Sequence, residues 1–107
     1  MINNAKHKLD LSSFSEEQFI DLLREFQGFL KTKLEPCINE NNIIDYWTCG
    51  IDHFNPPLHY DPLKNIMKFC AKKNLDWDEL KDRIEQYSGI SICCECFIVN
   101  RVPIKEV

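Results

Sequence analysis

The chain has 107 residues, of which 44% are hydrophobic and 28% are charged, a composition typical of one globular domain with its own core. Its formal net charge of −4 has the wrong sign for a protein that coats phosphate backbones. No run approaches the roughly 18 apolar residues of a membrane span, and the N-terminus lacks the apolar core of a secretory signal. We therefore expect a soluble, cytoplasmic protein without nucleic-acid or membrane partners.

The first predicted element is a helix from about residue 16 to Leu34. Residues 1–12 are polar and aperiodic, so we expect a flexible N-terminal arm there and a single domain over residues 13–107. Ser15 and Gln18 have the spacing of a capping box, and Pro36 ends the helix because proline lacks a backbone N–H. Apolar residues at three- and four-residue steps form the predicted buried face: Phe19, Leu22, Leu23, Phe26, Leu30 and Leu34.

The middle of the chain predicts one strand, a loop and a second helix. Ile43–Thr48 is a run of β-branched and aromatic residues typical of a strand. Ile51–Tyr60 contains two consecutive prolines and is expected to be an irregular loop. Asp61 then caps a short helix that has Pro62 at its first position and ends near Lys73.

The end of the chain predicts a third helix and a closing strand. Asp76 and Glu79 form a second capping box, and Gly89 ends this helix in the left-handed conformation. The β-rich composition of Ile90–Val102 predicts a strand, and alternation separates Glu95 and Cys93 from its core face. That predicted core face comprises Ile90, Ile92, Cys94, Cys96 and Ile98. The resulting fold class is α+β, with three helices packed on a small, mainly two-stranded sheet.

Cysteine and histidine side chains are the most concentrated chemistry in the sequence. Cys49 and His53 lie four residues apart after the first predicted strand, and Cys94 and Cys96 lie two apart on the last. Because no secretory signal is present, we expect reduced thiols rather than a disulfide framework. Three thiolates and one imidazole suit tetrahedral zinc, and four protein ligands would close its coordination sphere. These four residues therefore predict a structural zinc site.

Other interpretations of the cysteines and histidines remain open. A buried free cysteine also behaves as a small hydrophobe, so Cys94 and Cys96 are consistent with a metal-free core. Cys93 points away from them by strand alternation, and His59 is either a substitute ligand or an ordinary loop residue. The remaining two cysteines are expected to be packing residues: Cys37 and Cys70.

Three classes of function are compatible with this pattern. A zinc-stabilised module that binds another protein ranks first, and a metal-free interaction domain with aromatic anchors ranks second. A cysteine-dependent enzyme ranks third, with Cys49 as nucleophile, His53 as base and Asp52 as the orienting acid. We favour a non-enzymatic role, because no glycine-rich elbow surrounds Cys49. The candidate aromatic anchors, which could equally be core residues, are Trp47, Phe54, Tyr60 and Trp77.

Four short segments follow one another in a fixed order: Cys49-Gly50-Ile51-Asp52-His53, Asn74-Leu75-Asp76, Ser88-Gly89 and Cys94-Glu95-Cys96-Phe97. Together they resemble an uncharacterised bacterial family, the domain of unknown function numbered 2695. The resemblance covers residues 49–102, about half of the chain. It implies that the cysteines and histidine of the first and last segments act together, and it implies no reaction.

Overall fold

The computed structural model describes residues 8–47, 63–92 and 94–104. These ranges form the predicted α+β fold with a small two-stranded sheet, but they contain four α-helices rather than three. The two strands are antiparallel. None of the helices in these ranges is long and apolar enough to cross a membrane. In chain order the elements are a 3-10 turn (Leu11–Ser13), α1 (Glu16–Lys33), β1 (Glu35–Ile38), β2 (Ile44–Trp47), α2 (Lys64–Lys73), α3 (Trp77–Ser88) and α4 (Glu95–Arg101).

α1 begins at the predicted capping box. The Ser15 hydroxyl accepts the N–H of Gln18 at 3.1 Å, and the Gln18 side-chain oxygen accepts the N–H of Ser15 at 2.8 Å. Each contact satisfies a backbone donor that has no partner within the helix. The predicted apolar face of α1 is buried. Phe26, at the centre of this face, stacks on Phe69 of α2 with the ring centroids 4.6 Å apart. The core therefore lies between α1 and the later helices.

The sheet is a hairpin that follows α1 directly. The predicted strand over Ile43–Thr48 is confirmed in β2, but its partner is β1, which runs antiparallel and pairs Ile38 with Ile44. Pro36 lies within β1 and has no N–H to offer a further strand, so it can occupy this edge position. β1 carries little β propensity in its sequence, which is why it was not predicted.

α2 and α3 largely follow their predicted boundaries. α2 ends at Lys73 as expected, whereas its predicted cap, Asp61-Pro62, lies outside the described residues. Asp76 caps α3 by accepting the N–H of Glu79 at 3.1 Å, and Gly89 ends the helix with a φ of 74°. The second hydrogen bond of the predicted capping box, in which the Glu79 side chain would accept the N–H of Asp76, was predicted wrongly. The Glu79 carboxylate instead accepts the N–H of Leu11 at 3.3 Å.

Residues 8–12, which were assigned to the predicted arm, lie against α2 and α3. Leu11 is only 1% exposed, and its carbonyl accepts a 2.6 Å hydrogen bond from Arg83 on α3. The N–H of Leu9 donates to the carbonyl of Asn74, just beyond α2, at 2.8 Å. This part of the N-terminal segment therefore contributes a buried side chain to the core.

The predicted strand over Ile90–Val102 is wrong, because Glu95–Arg101 forms the helix α4. The buried positions here follow a helical step of three and four residues, since Glu95, Ile98 and Val102 are all at most 4% exposed. Strict alternation had placed Glu95 on the outer face. A run rich in Ile, Phe and Val fits any buried surface, and tertiary packing overrides its β propensity.

α4 is fixed to α1 by a buried side-chain amide. The Gln27 side-chain nitrogen donates to the carbonyls of Ile98 and Val102 at 2.7 and 2.8 Å. These carbonyls lie at the C-terminal end of α4, where helical carbonyls have no intrahelical donor. Gln27 is itself buried, so both hydrogen bonds are shielded from water.

Replacing Gln27 with Ala should lower the free energy of unfolding by about 2 to 3 kcal/mol, because two buried carbonyls lose their donor. Urea denaturation measures this change. Gln86→Ala, at an exposed position of α3, is the matched control and should stay within about 0.5 kcal/mol of the parent. Equal stabilities for the two variants would contradict the buried role of Gln27.

Candidate metal site

Two of the four predicted zinc ligands converge at the start of α4. Cys94 is the N-cap residue and Cys96 is the second residue of the helix. Their Sγ atoms lie 3.1 Å apart, with Cys94 2% exposed and Cys96 half-buried. Two sulfurs on one tetrahedral zinc ion, with bonds of about 2.3 Å, lie about 3.8 Å apart. A small side-chain rotation would therefore let both sulfurs bind one ion.

This contact depends on the N-cap conformation of Cys94. Its backbone is extended, with φ −165° and ψ −178°, whereas Cys96 is already helical. In the predicted strand, residues two apart would share a face but stand about 6.6 Å from each other along the chain. The change of conformation at the cap instead brings the two thiols into contact. The structure thus brings Cys94 and Cys96 together through this cap, whereas the strand on which they were predicted to lie does not form.

The residue between the two cysteines anchors them to α2. Glu95 is 0% exposed, and its carboxylate accepts the N–H of Asn65, the second residue of α2, at 3.0 Å. The first N–H groups of a helix have no intrahelical acceptor, and negative charge is favourable at that end. Glu95 therefore satisfies a donor of α2 and at the same time holds the start of α4 against it.

The other end of α4 is anchored to the sheet. The N–H of Tyr46 donates to the Asn100 side-chain oxygen at 3.0 Å, and the Asn100 side-chain nitrogen donates to the Tyr46 carbonyl at 3.1 Å. The carboxamide thus bonds the outer edge of β2 as a neighbouring strand would. Its two contacts join α4 to the strand that precedes the remaining predicted ligands.

The other two predicted ligands, Cys49 and His53, lie outside the described residues, as do Asp52, His59 and Cys93. Residues 48–62 connect β2 to α2, and both of those elements are bonded to α4. Within residues 8–47, 63–92 and 94–104, no three His, Cys, Asp or Glu side chains are grouped to hold a metal ion.

The remaining cysteines differ in their surroundings. Cys70 is 2% exposed within the core, and burial raises the pKa of its thiol to about 11. A thiol with so high a pKa stays protonated and unreactive at neutral pH, as expected of a packing residue. Cys37 is half-buried on β1. The candidate anchor Trp77 packs against the core, with its ring centroid 6.4 Å from that of Phe26.

Two supporting residues of this site, Glu95 and Asn100, were not predicted from the sequence. The available signal for Glu95 was a charged residue inside the apolar run from Ile90 to Val99. A carboxylate buried in such a run is rare without a hydrogen-bond or charge partner, so its position indicates that a partner exists. Asn100 gave no comparable signal. Its two bonds depend on where β2 lies, which local sequence does not specify.

Comparison with family models, curated proteins and solved structures found no match for this chain. The resemblance to the bacterial family numbered 2695 therefore stays a prediction. The chemistry of the candidate site rests on the residues themselves, above all on the pair Cys94 and Cys96.

Replacing Glu95 with Ala should lower the free energy of unfolding by about 2 to 3 kcal/mol, because the N–H of Asn65 loses a charged acceptor. Glu95→Gln keeps an oxygen at the same reach and should lose less. Thermal and urea unfolding measure both changes, with the exposed Glu40→Ala as the control. A Glu95→Ala protein as stable as the parent would show that this carboxylate does not hold the two helices together.

Proposed function

We propose that this protein is a small zinc-stabilised interaction module in which Cys49, His53, Cys94 and Cys96 hold one structural zinc ion. The observation that carries the proposal is the 3.1 Å contact between the two sulfurs at the start of α4. Thiolates are favoured zinc ligands.

The position of the sulfur pair supports a stabilising role for the metal. α4 has only seven residues, and a helix of that length is not stable alone in water. Residues 48–62 join the two elements, β2 and α2, that α4 already contacts. A zinc ion shared between Cys49 and His53 of this segment and the cysteines of α4 would cross-link them, and its binding energy would add to folding.

A structural ion fits this ligand set better than a catalytic one. Four protein ligands leave no coordination position for water or substrate, whereas catalytic zinc sites keep one open. We therefore rank the module above the enzyme that would use Cys49, His53 and Asp52. The metal-free interaction domain is the alternative, and it predicts the same fold without the ion.

The hairpin supports the interaction half of the proposal. Ile38, Ile43 and Ile44 are 70%, 56% and 60% exposed, and the first and last of them are cross-strand partners. Large apolar side chains clustered at the surface are typical of protein contact sites. We propose that another protein binds to the surface that Ile38 and Ile44 share.

Protein purified in reducing buffer, without added zinc and without a histidine tag, should carry one zinc ion per chain in native mass spectrometry. Cys94→Ser and Cys96→Ser should each lose the ion and melt at a lower temperature, because zinc binding is coupled to folding. Cys49→Ala and His53→Ala should do the same. Cys37→Ser, at a half-buried cysteine of β1 outside the proposed site, is the matched control and should keep its zinc.

Two results would contradict the zinc proposal. One is a metal-free parent protein that is fully folded and does not gain stability when zinc is added. The other is a Cys94→Ser variant that binds zinc as tightly as the Cys37→Ser control. The first result favours the metal-free interaction domain, and the second requires a different ligand set.

A further inference from the structure

The distance between the Cys94 and Cys96 sulfurs is intermediate between that in a zinc site and that in a disulfide bond. At 3.1 Å they are closer than the roughly 3.8 Å spanned across a tetrahedral zinc ion. A disulfide bond would bring them to about 2.05 Å. Closing the remaining gap takes about 1 Å of sulfur movement. The pair is therefore placed for disulfide formation as well as for metal binding.

The two thiols differ in their access to solvent. Cys94 is 2% exposed, whereas Cys96 is half-buried and presents part of its surface. Attack on an external disulfide requires access for the attacking sulfur and its target, so Cys96 is the sulfur that reacts first. Cys94 is buried next to Cys96, and its sulfur is close enough to attack the Cys96 sulfur in a second step.

We infer that a low-molecular-weight disulfide oxidises the Cys94 and Cys96 pair and thereby releases the zinc ion. The release half of this inference rests on the proposed zinc site, whereas disulfide formation depends on the two sulfurs alone. The pair would then act as a redox-sensitive switch on the ion that stabilises α4.

The chemistry consists of two thiol–disulfide exchanges. The Cys96 thiolate attacks one sulfur of the small disulfide, whose S–S bond breaks and releases one thiolate, leaving a mixed disulfide on Cys96. The Cys94 thiolate then attacks the Cys96 sulfur, and the second small thiolate leaves. Two electrons pass from the protein sulfurs to the small disulfide. The products are one intrachain disulfide and two small thiolates. A zinc ion held at the proposed site would lose two of its four ligands.

A link between residues two apart closes a very small loop and constrains the unfolded chain little. Disulfide stabilisation grows with loop length in the chain-entropy account, so this link would add little stability of its own. Replacing a zinc ion by such a link should therefore lower the stability of the whole domain. The change is reversible, because a reductant restores both thiols as ligands.

The test uses full-length protein carrying Cys93→Ser, so that peptide mapping of the closely spaced cysteines is unambiguous. Zinc-loaded protein is incubated with glutathione disulfide, and released zinc is followed with a chromogenic chelator. The intact mass should fall by two hydrogens, a Cys94–Cys96 link should form, and one zinc ion should leave per link. Dithiothreitol should reverse the mass change. Cys96→Ser in the same background should form no intrachain link. Cys37→Ser in that background is the control, and it should form the link and release zinc as the Cys93→Ser protein does.

The outcomes separate this inference from the zinc proposal. A zinc-loaded protein whose thiols stay free, or whose mixed disulfide on Cys96 never resolves, overturns the inference and leaves the zinc site standing. A Cys94–Cys96 link in protein that never held zinc supports the reactive pair and overturns the release half together with the zinc proposal. A link from Cys94 or Cys96 to Cys37 or Cys70 overturns the pairing itself.

Discussion

The fold depends on α4 being held by buried and partly buried polar contacts with its neighbours, because seven residues cannot sustain a helix alone. Gln27 binds its last carbonyls, and Glu95 on the helix itself binds the start of α2. Asn100 bonds the edge of β2. One short helix is thereby joined to α1, α2 and the sheet.

The sequence predicted those elements whose signals are local. The start of α1 is marked by Ser15 with Gln18. The start of α3 is marked by Asp76 and its end by Gly89. Each of these signals acts within a few residues of its own helix. β1 and α4 could not be predicted in this way. The Pro36 segment becomes a strand because β2 lies beside it, and α4 is a helix despite β-branched residues because three distant elements bind it.

The sequence suggested Cys94 and Cys96 as a pair, but it did not predict the geometry of their contact. Cys94 and Cys96 were paired on a predicted strand, whereas their contact arises from an extended cap followed by a helical turn. Glu95 was assigned to the outer face and is instead buried against α2. Side-chain amides and carboxylates that bond distant backbone groups follow from tertiary structure, so a periodic pattern cannot reveal them.

Zinc K-edge X-ray absorption on the reduced, full-length protein tests the central claim most directly, because it reports the atoms bound to the metal. We expect three sulfur ligands at about 2.3 Å and one nitrogen at about 2.0 Å, in agreement with Cys49, Cys94, Cys96 and His53. The Cys94→Ser protein should lose one sulfur from this shell or lose the metal altogether. A shell of nitrogen and oxygen atoms without sulfur, in protein that binds one zinc ion, would contradict the account.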